Sequence, residues 1–467
     1  MKKILLRILL ILLALLVIYT IFNQFDIGKS SAKFTLLNDI PKANFEKNNG
    51  FYILWALSEP LDIDISSNKI INKYRKLFDP KYDIDKNIYD FNVEKYNHKP
   101  RKNTWLEKYR IIGINFPIGI NKDRSKYILS IKNKLLPIDP YLKIFLERYT
   151  KMLNTKVFQD FTALRNDAPL PNLLAWLHAS KLYTAVNMLT ALEGNWEKGV
   201  SNILDQLDFS KRAVKGSRVL ITNLISKAIM QISLQSISSL MNQKECPIDI
   251  FEMVLKRMPT LKYEEFGTRT SFMCEHLGYI SNYIEKGVYK DKNISLFKRL
   301  LLKLFMQKNR TKKYFLDFFE KYIKIEETLP YKWESDQKEE KALNSGLFWW
   351  LQNPAGKVFF NYNNTNLKTV IFKSYAKKAM YDIVKISAEL HLNYTPETPV
   401  QEILNRLNTY KNNIDPCSGK PYIWNEQKQI LYSIGTDRKD NQGQTNNYTK
   451  IENTDFAFPV ILYVRID

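Results

Sequence analysis

Residues Asn172 to Val214 read NLLAWLHASKLYTAVNMLTALEGNWEKGVSNILDQLDFSKRAV, and the spacing of their apolar side chains decides the fold class. Leu173, Leu174, Leu177, Leu182, Ala185, Leu189 and Leu192 recur on one stripe of a helix that Gly194-Asn195 stops. A second helix follows from Trp196 to about Val214, with Gly216 ending it. The third, SRVLITNLISKAIMQISLQSISSLMNQ (217–243), is apolar on most sides, which predicts a central position.

Helices of similar length joined by Gly-containing turns predict antiparallel hairpins. The expected class is therefore mainly α, an array of antiparallel helical hairpins over 146–345. The turn ALEGNWEKGVSNIL resembles the helical hairpins of tetratricopeptide-type solenoids, although the chain shows no fixed repeat period.

The N-terminus, MKKILLRILLILLALLVIYTIF, is apolar from Ile4 to Phe22 apart from Arg7 and Thr20. About 20 such residues span a bilayer as a helix, and Arg7 is near enough to the start to snorkel. Tyr19, Ile21, Phe22 and Phe25 stand where a cleavable signal peptide carries small residues. Residues 1–25 are thus expected to form an uncleaved transmembrane signal anchor, with a cleaved signal peptide as the alternative. Lys2 and Lys3 place its start in the cytoplasm, so the bulk of the chain is expected outside, in the periplasm of a bacterial inner-membrane protein.

The 467 residues carry a formal charge of +22, which raises nucleic acid and anionic lipid as partners. Lys greatly outnumbers Arg and is scattered, no Arg cluster is interleaved with aromatics, and no nucleic-acid recognition fold is legible. Nucleic acid is set aside. Cys246, Cys274 and Cys417 form no CxxC pair and no disulfide framework. In CEHLG, neighbouring Cys274, Glu275 and His276 diverge by about 100° on a helix and cannot share a metal.

Residues 26–145 are mixed and loop-rich. NGFYILWALSEP (49–60) reads as a buried strand or one short helix. The acid pairs Asp62/Asp64 and Asp83/Asp85 lack the Gly and terminal Glu of a helix-loop-helix calcium site. Further on, Phe297, Leu300, Leu301, Leu304 and Phe305 can share one helical face surrounded by basic residues. Lys308, Arg310, Lys312 and Lys313 are the candidate contacts with anionic membrane there, against an ordinary packed surface helix.

Residues 346–467 are expected to hold a long helix, a break at Tyr394-Thr395-Pro396 and a short helix from Thr398. A hairpin then pairs Tyr422–Trp424 with Ile430–Ile434, with Trp424 and Tyr432 packing on the long helix, and DFAFPVILYVRID supplies a last strand. Asp415-Pro416 opens a turn, Gly419 supplies positive φ and Pro421 fixes the exit.

Asp415-Pro416, Gly419-Lys420-Pro421, the strands YIW and ILYSIG, and TDRKD with Asn441 and Gly443 resemble the C-terminal part of type II secretion major pseudopilins. NGFYILWAL and NPAGKVFF, with this ending, also resemble bacterial membrane-anchored helical proteins that have no established activity. The N-terminus lacks the Gly processing site and early Glu of pilin subunits, so a pilus polymer subunit is not expected. The pseudopilin resemblance implies Ca²⁺ held by loop acids, here Asp437, Asp440 and Asp455, although Arg438 and Lys439 offset their charge.

G-x-S-x-G, Walker, Rossmann and HExxH motifs are absent from the sequence. Two functions follow as expectations. One is a membrane-anchored, extracytoplasmic, non-enzymatic scaffold or accessory protein that binds an envelope partner; the other is an envelope hydrolase with dispersed catalytic residues.

Overall fold

The computed structural model describes residues 48–57, 124–136, 140–162, 170–278, 306–333, 367–435, 438–444 and 456–462, with scattered positions elsewhere. It is mainly helical with one small antiparallel sheet near the C-terminus. The segment expected to anchor the chain, 1–25, lies largely outside the described residues. Among the described residues no helix is long and apolar enough to cross a membrane.

NGFYILWAL resolves to helix: α1 runs Gly50–Ala56 with every residue buried. Asn49 explains the choice. Its Oδ1 accepts the N–H of Phe51 at 3.0 Å, capping the first turn, and also the N–H of Gln159 at 3.0 Å. Its Nδ2 donates to the Gln159 carbonyl at 3.1 Å, so one side chain both starts the helix and ties it to the strand-like stretch after α4. Helices α2 (Arg124–Ser130), α3 (Lys132–Leu135) and α4 (Pro140–Leu153) complete this side.

Helix α5 (Leu173–Leu192) starts where Asn172 Oδ1 accepts the N–H of Ala175 and ends at Gly194, whose φ of 101° favours glycine. Leu174 departs from the expected stripe. It is 63% exposed, because its position immediately after Leu173 points about 100° away from the buried side. Helices α6 (Trp196–Gly216) and α7 (Leu220–Met241) follow through short turns. Gly216 is required by close approach, since a Cβ there would lie 1.8 Å from the Phe158 carbonyl oxygen. The N-terminus of α7 faces two carboxylates. Asp160 Oδ2 accepts from Arg218 and Val219 at 3.2 Å, and Glu275 accepts from Leu220 at 3.1 Å.

The three helices pack on one another in all pairs, so α5 touches α7 as well as α6. The geometry is therefore a closed packet rather than a simple row of hairpins. The reason is the character of α7, which is apolar nearly all round and must be covered on every side. Gln206 Nε2 on α6 links the packet internally by donating to Thr184 on α5 and Ser233 on α7, both at 2.9 Å.

Helix α8 (Ile248–Arg257) leads to α9 (Arg269–Gly278) and α10 (Lys308–Glu327). Phe315, Phe319 and Ile323 of α10 join Phe272 of α9 and Ile371 and Tyr375 of the long helix in a second apolar cluster. That long helix, α11 (Leu367–Asn393), packs over α7 and α8 and carries the C-terminal sheet. The next helix, α12 (Val400–Arg406), begins after Pro399 rather than at Thr398, and α13 (Asn408–Asn412) follows.

Strands β1 (Ile423–Asn425), β2 (Ile430–Ser433) and β3 (Phe456–Pro459) form an antiparallel sheet in the order β1-β2-β3. The first hairpin strand lies one residue later than the sequence reading, while the second starts at Ile430 as read and ends one residue earlier. Trp424 pairs with Leu431, and Leu431 with Phe458; these three face the main core. Tyr432 does not reach the long helix. Strand alternation turns it to the opposite face with Ile430 and Ile423, where the loop at Gly443 closes over it.

Candidate functional site

Helix α11 is the only described helix that inserts a row of ionisable side chains between other helices, and the site is built along it. Ser374, Lys377, Lys378, Tyr381, Asp382 and Lys385 are all buried. Burial this deep requires a partner for each charge.

Lys227 of α7 meets this row first. It is 1% exposed, and its Nζ donates to Ser374 Oγ at 2.7 Å. Burial pulls the Lys227 amine down to about 7, with Glu326 opposing and Lys377 and Lys373 reinforcing the drop. Lys377 Nζ donates to Gln231 Oε1 at 2.6 Å, and burial together with Lys373 pulls it down to about 7 as well. On the far side, Glu326 of α10 accepts from the N–H and hydroxyl of Thr268, and burial holds its carboxyl above the usual range.

One turn further, Lys378 pairs with Asp382, whose Oδ2 also accepts the Tyr422 hydroxyl at 2.8 Å. Burial raises the Asp382 carboxyl against the lowering effect of Lys378. Lys385 closes the row by donating to Thr260 Oγ1 at 2.9 Å, and Tyr381 donates to the Pro259 carbonyl at 3.0 Å. Asp382 Oδ1 and Glu326 Oε2 are buried without a hydrogen-bond partner among the described residues.

The turn at Asp415 continues this network into the sheet. Asp415 Oδ1 accepts the Cys417 N–H at 2.9 Å and the Ser433 hydroxyl at 2.7 Å, as the Asp-Pro turn reading requires. Gly419 has φ 69°, and its N–H returns to the Asp415 carbonyl at 2.9 Å. Cys246, Cys274 and Cys417 are buried, and burial pushes the Cys274 thiol up to about 12.

The candidates from sequence fall elsewhere. Asp437 and Asp455 lie outside the described residues. Asp440 is exposed, and its Oδ1 accepts from the Tyr432 hydroxyl at 2.9 Å and the Gln442 N–H at 2.7 Å. Arg438 of the same loop donates to the Trp333 carbonyl at 2.9 Å. Among the described residues no group of three or more His, Cys, Asp or Glu is placed to hold a metal ion. Lys308, Arg310, Lys312 and Lys313 lie in the first turns of α10; the first three are half-buried, while exposed Lys313 pairs with Asp317 at 2.8 Å. His178 is exposed on α5, and His391 stacks on Phe251 at 4.7 Å.

Sequence reasoning missed the lysine–carboxylate row. A signal was present: Lys227 is the sole charged residue between Val219 and Gln243. Together these features define a mainly α protein whose long C-terminal helix carries one buried ion pair, Lys378–Asp382, and is keyed to its neighbours by buried lysine hydrogen bonds to Ser374, Gln231 and Thr260. Comparison of the chain with family models, curated proteins and solved structures finds no match.

The site makes a pH prediction. Lys377 is buried with a lowered folded pKa, so the unfolded chain holds the extra proton between about 7 and the ordinary 10.5. Stability therefore rises with pH across that window, and Lys227 adds in the same sense. Glu326 and Asp382 act oppositely at lower pH: their raised folded values favour the native state in acid, an advantage lost as pH climbs through those values. Lys377→Met is expected to flatten the rise between neutral and alkaline pH by at most about 1.4 kcal/mol per pH unit. Urea midpoints across that range are the readout; an unchanged slope overturns the assignment.

Proposed function

We propose that the chain is a single-pass, membrane-anchored scaffold of the bacterial cell envelope, with its helical body on the extracytoplasmic side binding another envelope component. One observation carries the membrane part. Leu10, Ile11, Leu13, Val17, Ile18 and Ile21 are helical and each leaves half or more of its surface uncovered. At about 100° per residue they spread over an arc of roughly 160° on the side away from Tyr19, a broad apolar face of the kind that hydrocarbon covers. The scaffold part draws support from the buried lysines, whose hydrogen bonds join α11 to α7 and so serve helix register.

The experiment is membrane fractionation of the full chain with alkaline wash, protease access from each side, and cross-linking capture of the partner. Retention in the membrane with the body cleaved only from outside supports the reading. Release by alkali, or protection of the body, overturns it.

The hydrolase reading has one contact in its favour. Ser374 Oγ and Lys227 Nζ lie 2.7 Å apart, and an amine titrating near 7 is suited to act as base for a hydroxyl. Both residues are 1% exposed, so a substrate reaches them only if α11 parts from α7. The scaffold reading requires no such opening. Ser374→Ala with unaltered envelope phenotype removes the hydrolase.

A further inference from the structure

We infer that the segment just before α10 forms a second membrane contact, an apolar ridge of Leu296 and Leu300 lying in the outer interface of the bilayer that holds the N-terminal anchor. The inference rests on the anchor reading above and adds a surface to it. Leu296 and Leu300 stand four residues apart on one helical turn, marked by the Arg299 N–H donating to the Ser295 carbonyl at 3.0 Å. Two leucines at that spacing share a helix face. They are 81% and 50% exposed, whereas leucines of the packet helices are mostly buried.

What covers them follows from two independent observations. First, the ring of Phe305 lies 5.8 Å from the ring of Tyr19, at the far end of the apolar N-terminal helix. Tyrosine near the end of such a helix sits at the lipid headgroup level, so its neighbour Phe305 is brought to the same depth. Leu300 is five residues before Phe305 in the chain, which keeps the ridge near the interface. Second, the sequence from Lys292 to Lys313 holds eight basic residues and no acidic one. A basic stretch of chain with uncovered leucines matches the headgroup boundary of anionic lipid. The half-buried positions of Lys308, Arg310 and Lys312 fit side chains whose stems pack on protein while their cationic ends stay near the surface.

The test uses the full chain reconstituted in phosphatidylcholine vesicles with and without phosphatidylglycerol. Single cysteines at Leu296→Cys, Leu300→Cys and, as an exposed control, Leu174→Cys carry an environment-sensitive fluorophore; the three native thiols are buried. Lipids brominated along the chain report depth. Quenching several-fold stronger at 296 and 300 than at 174, and stronger with phosphatidylglycerol, is the expected result. Equal, weak quenching at all three positions in vesicles that retain the protein overturns the ridge but leaves the anchor standing. Failure of the chain to associate with vesicles at all overturns both. Quenching at 296 and 300 that is indifferent to phosphatidylglycerol overturns the anionic preference.

Discussion

Asp382→Ala is expected to lower unfolding free energy by about 3–5 kcal/mol, the usual cost of stranding a buried charge. Asp382 is 1% exposed and is the shared partner of Lys378 and the Tyr422 hydroxyl. Removing it leaves the Lys378 ammonium without its carboxylate, in a position where water cannot substitute, and frees the hydroxyl that ties the sheet approach to α11. A second variant separates charge stranding from lost packing. Lys378→Met with Asp382→Leu removes both charges, and apolar replacement of a complete buried pair is often close to neutral. The double variant is therefore expected to recover most of the loss. Urea unfolding of the four proteins in a mutant cycle is the measurement. A single Asp382→Ala variant within about 0.5 kcal/mol of the parent, the usual range of inert surface changes, overturns the account.

Trp176→Ala is expected to cost a similar amount, about 3–5 kcal/mol, through an unfilled core cavity. Trp176 is wholly buried on α5, stacked on Phe158 at 5.9 Å and edge-on to Phe209 of α6 at 6.1 Å. Phe158 in turn meets Phe51 of α1 edge-on at 5.9 Å. The indole thus supports the ring chain that attaches α1 to the packet. Beyond the drop in unfolding midpoint, the variant is expected to expose the peptide around α1 to protease sooner than the rest of the body. Trp176→Phe, which keeps a ring, is expected to lose less than half as much. Equal losses for Ala and Phe remove the stacking part of the argument.

How far these residues were legible beforehand differs by type. The helices α5, α6 and α7 follow from apolar spacing and from Gly194 and Gly216, and their ends match the sequence reading closely. The Asp415 turn was equally readable, because an Asp side chain accepting from the N–H two residues on is a local event. NGFYILWAL was not decidable, since a short apolar run suits strand and helix alike. Asn49 decides it by bonding Gln159, a residue 110 positions away. The sheet face of Tyr432 was misread because the pairing register was not legible: Trp424 pairs with Leu431, which puts Tyr432 on the opposite face with Ile423. The lysine–carboxylate row was hidden for the same reason of distance: Lys227 and Ser374 are 147 residues apart.

The sequence by itself determined what depends on neighbours along the chain: helix periodicity, caps, turns, the apolar N-terminal segment and the excess of positive charge. Tertiary structure alone decided which charges are buried, which strand face meets the core, and that α5, α6 and α7 close into a packet under α11. The physical reason is desolvation. A lysine in a sequence carries the same charge wherever it stands, and only the helices folded around Lys227 and Lys377 exclude the water that keeps a lysine near its ordinary pKa.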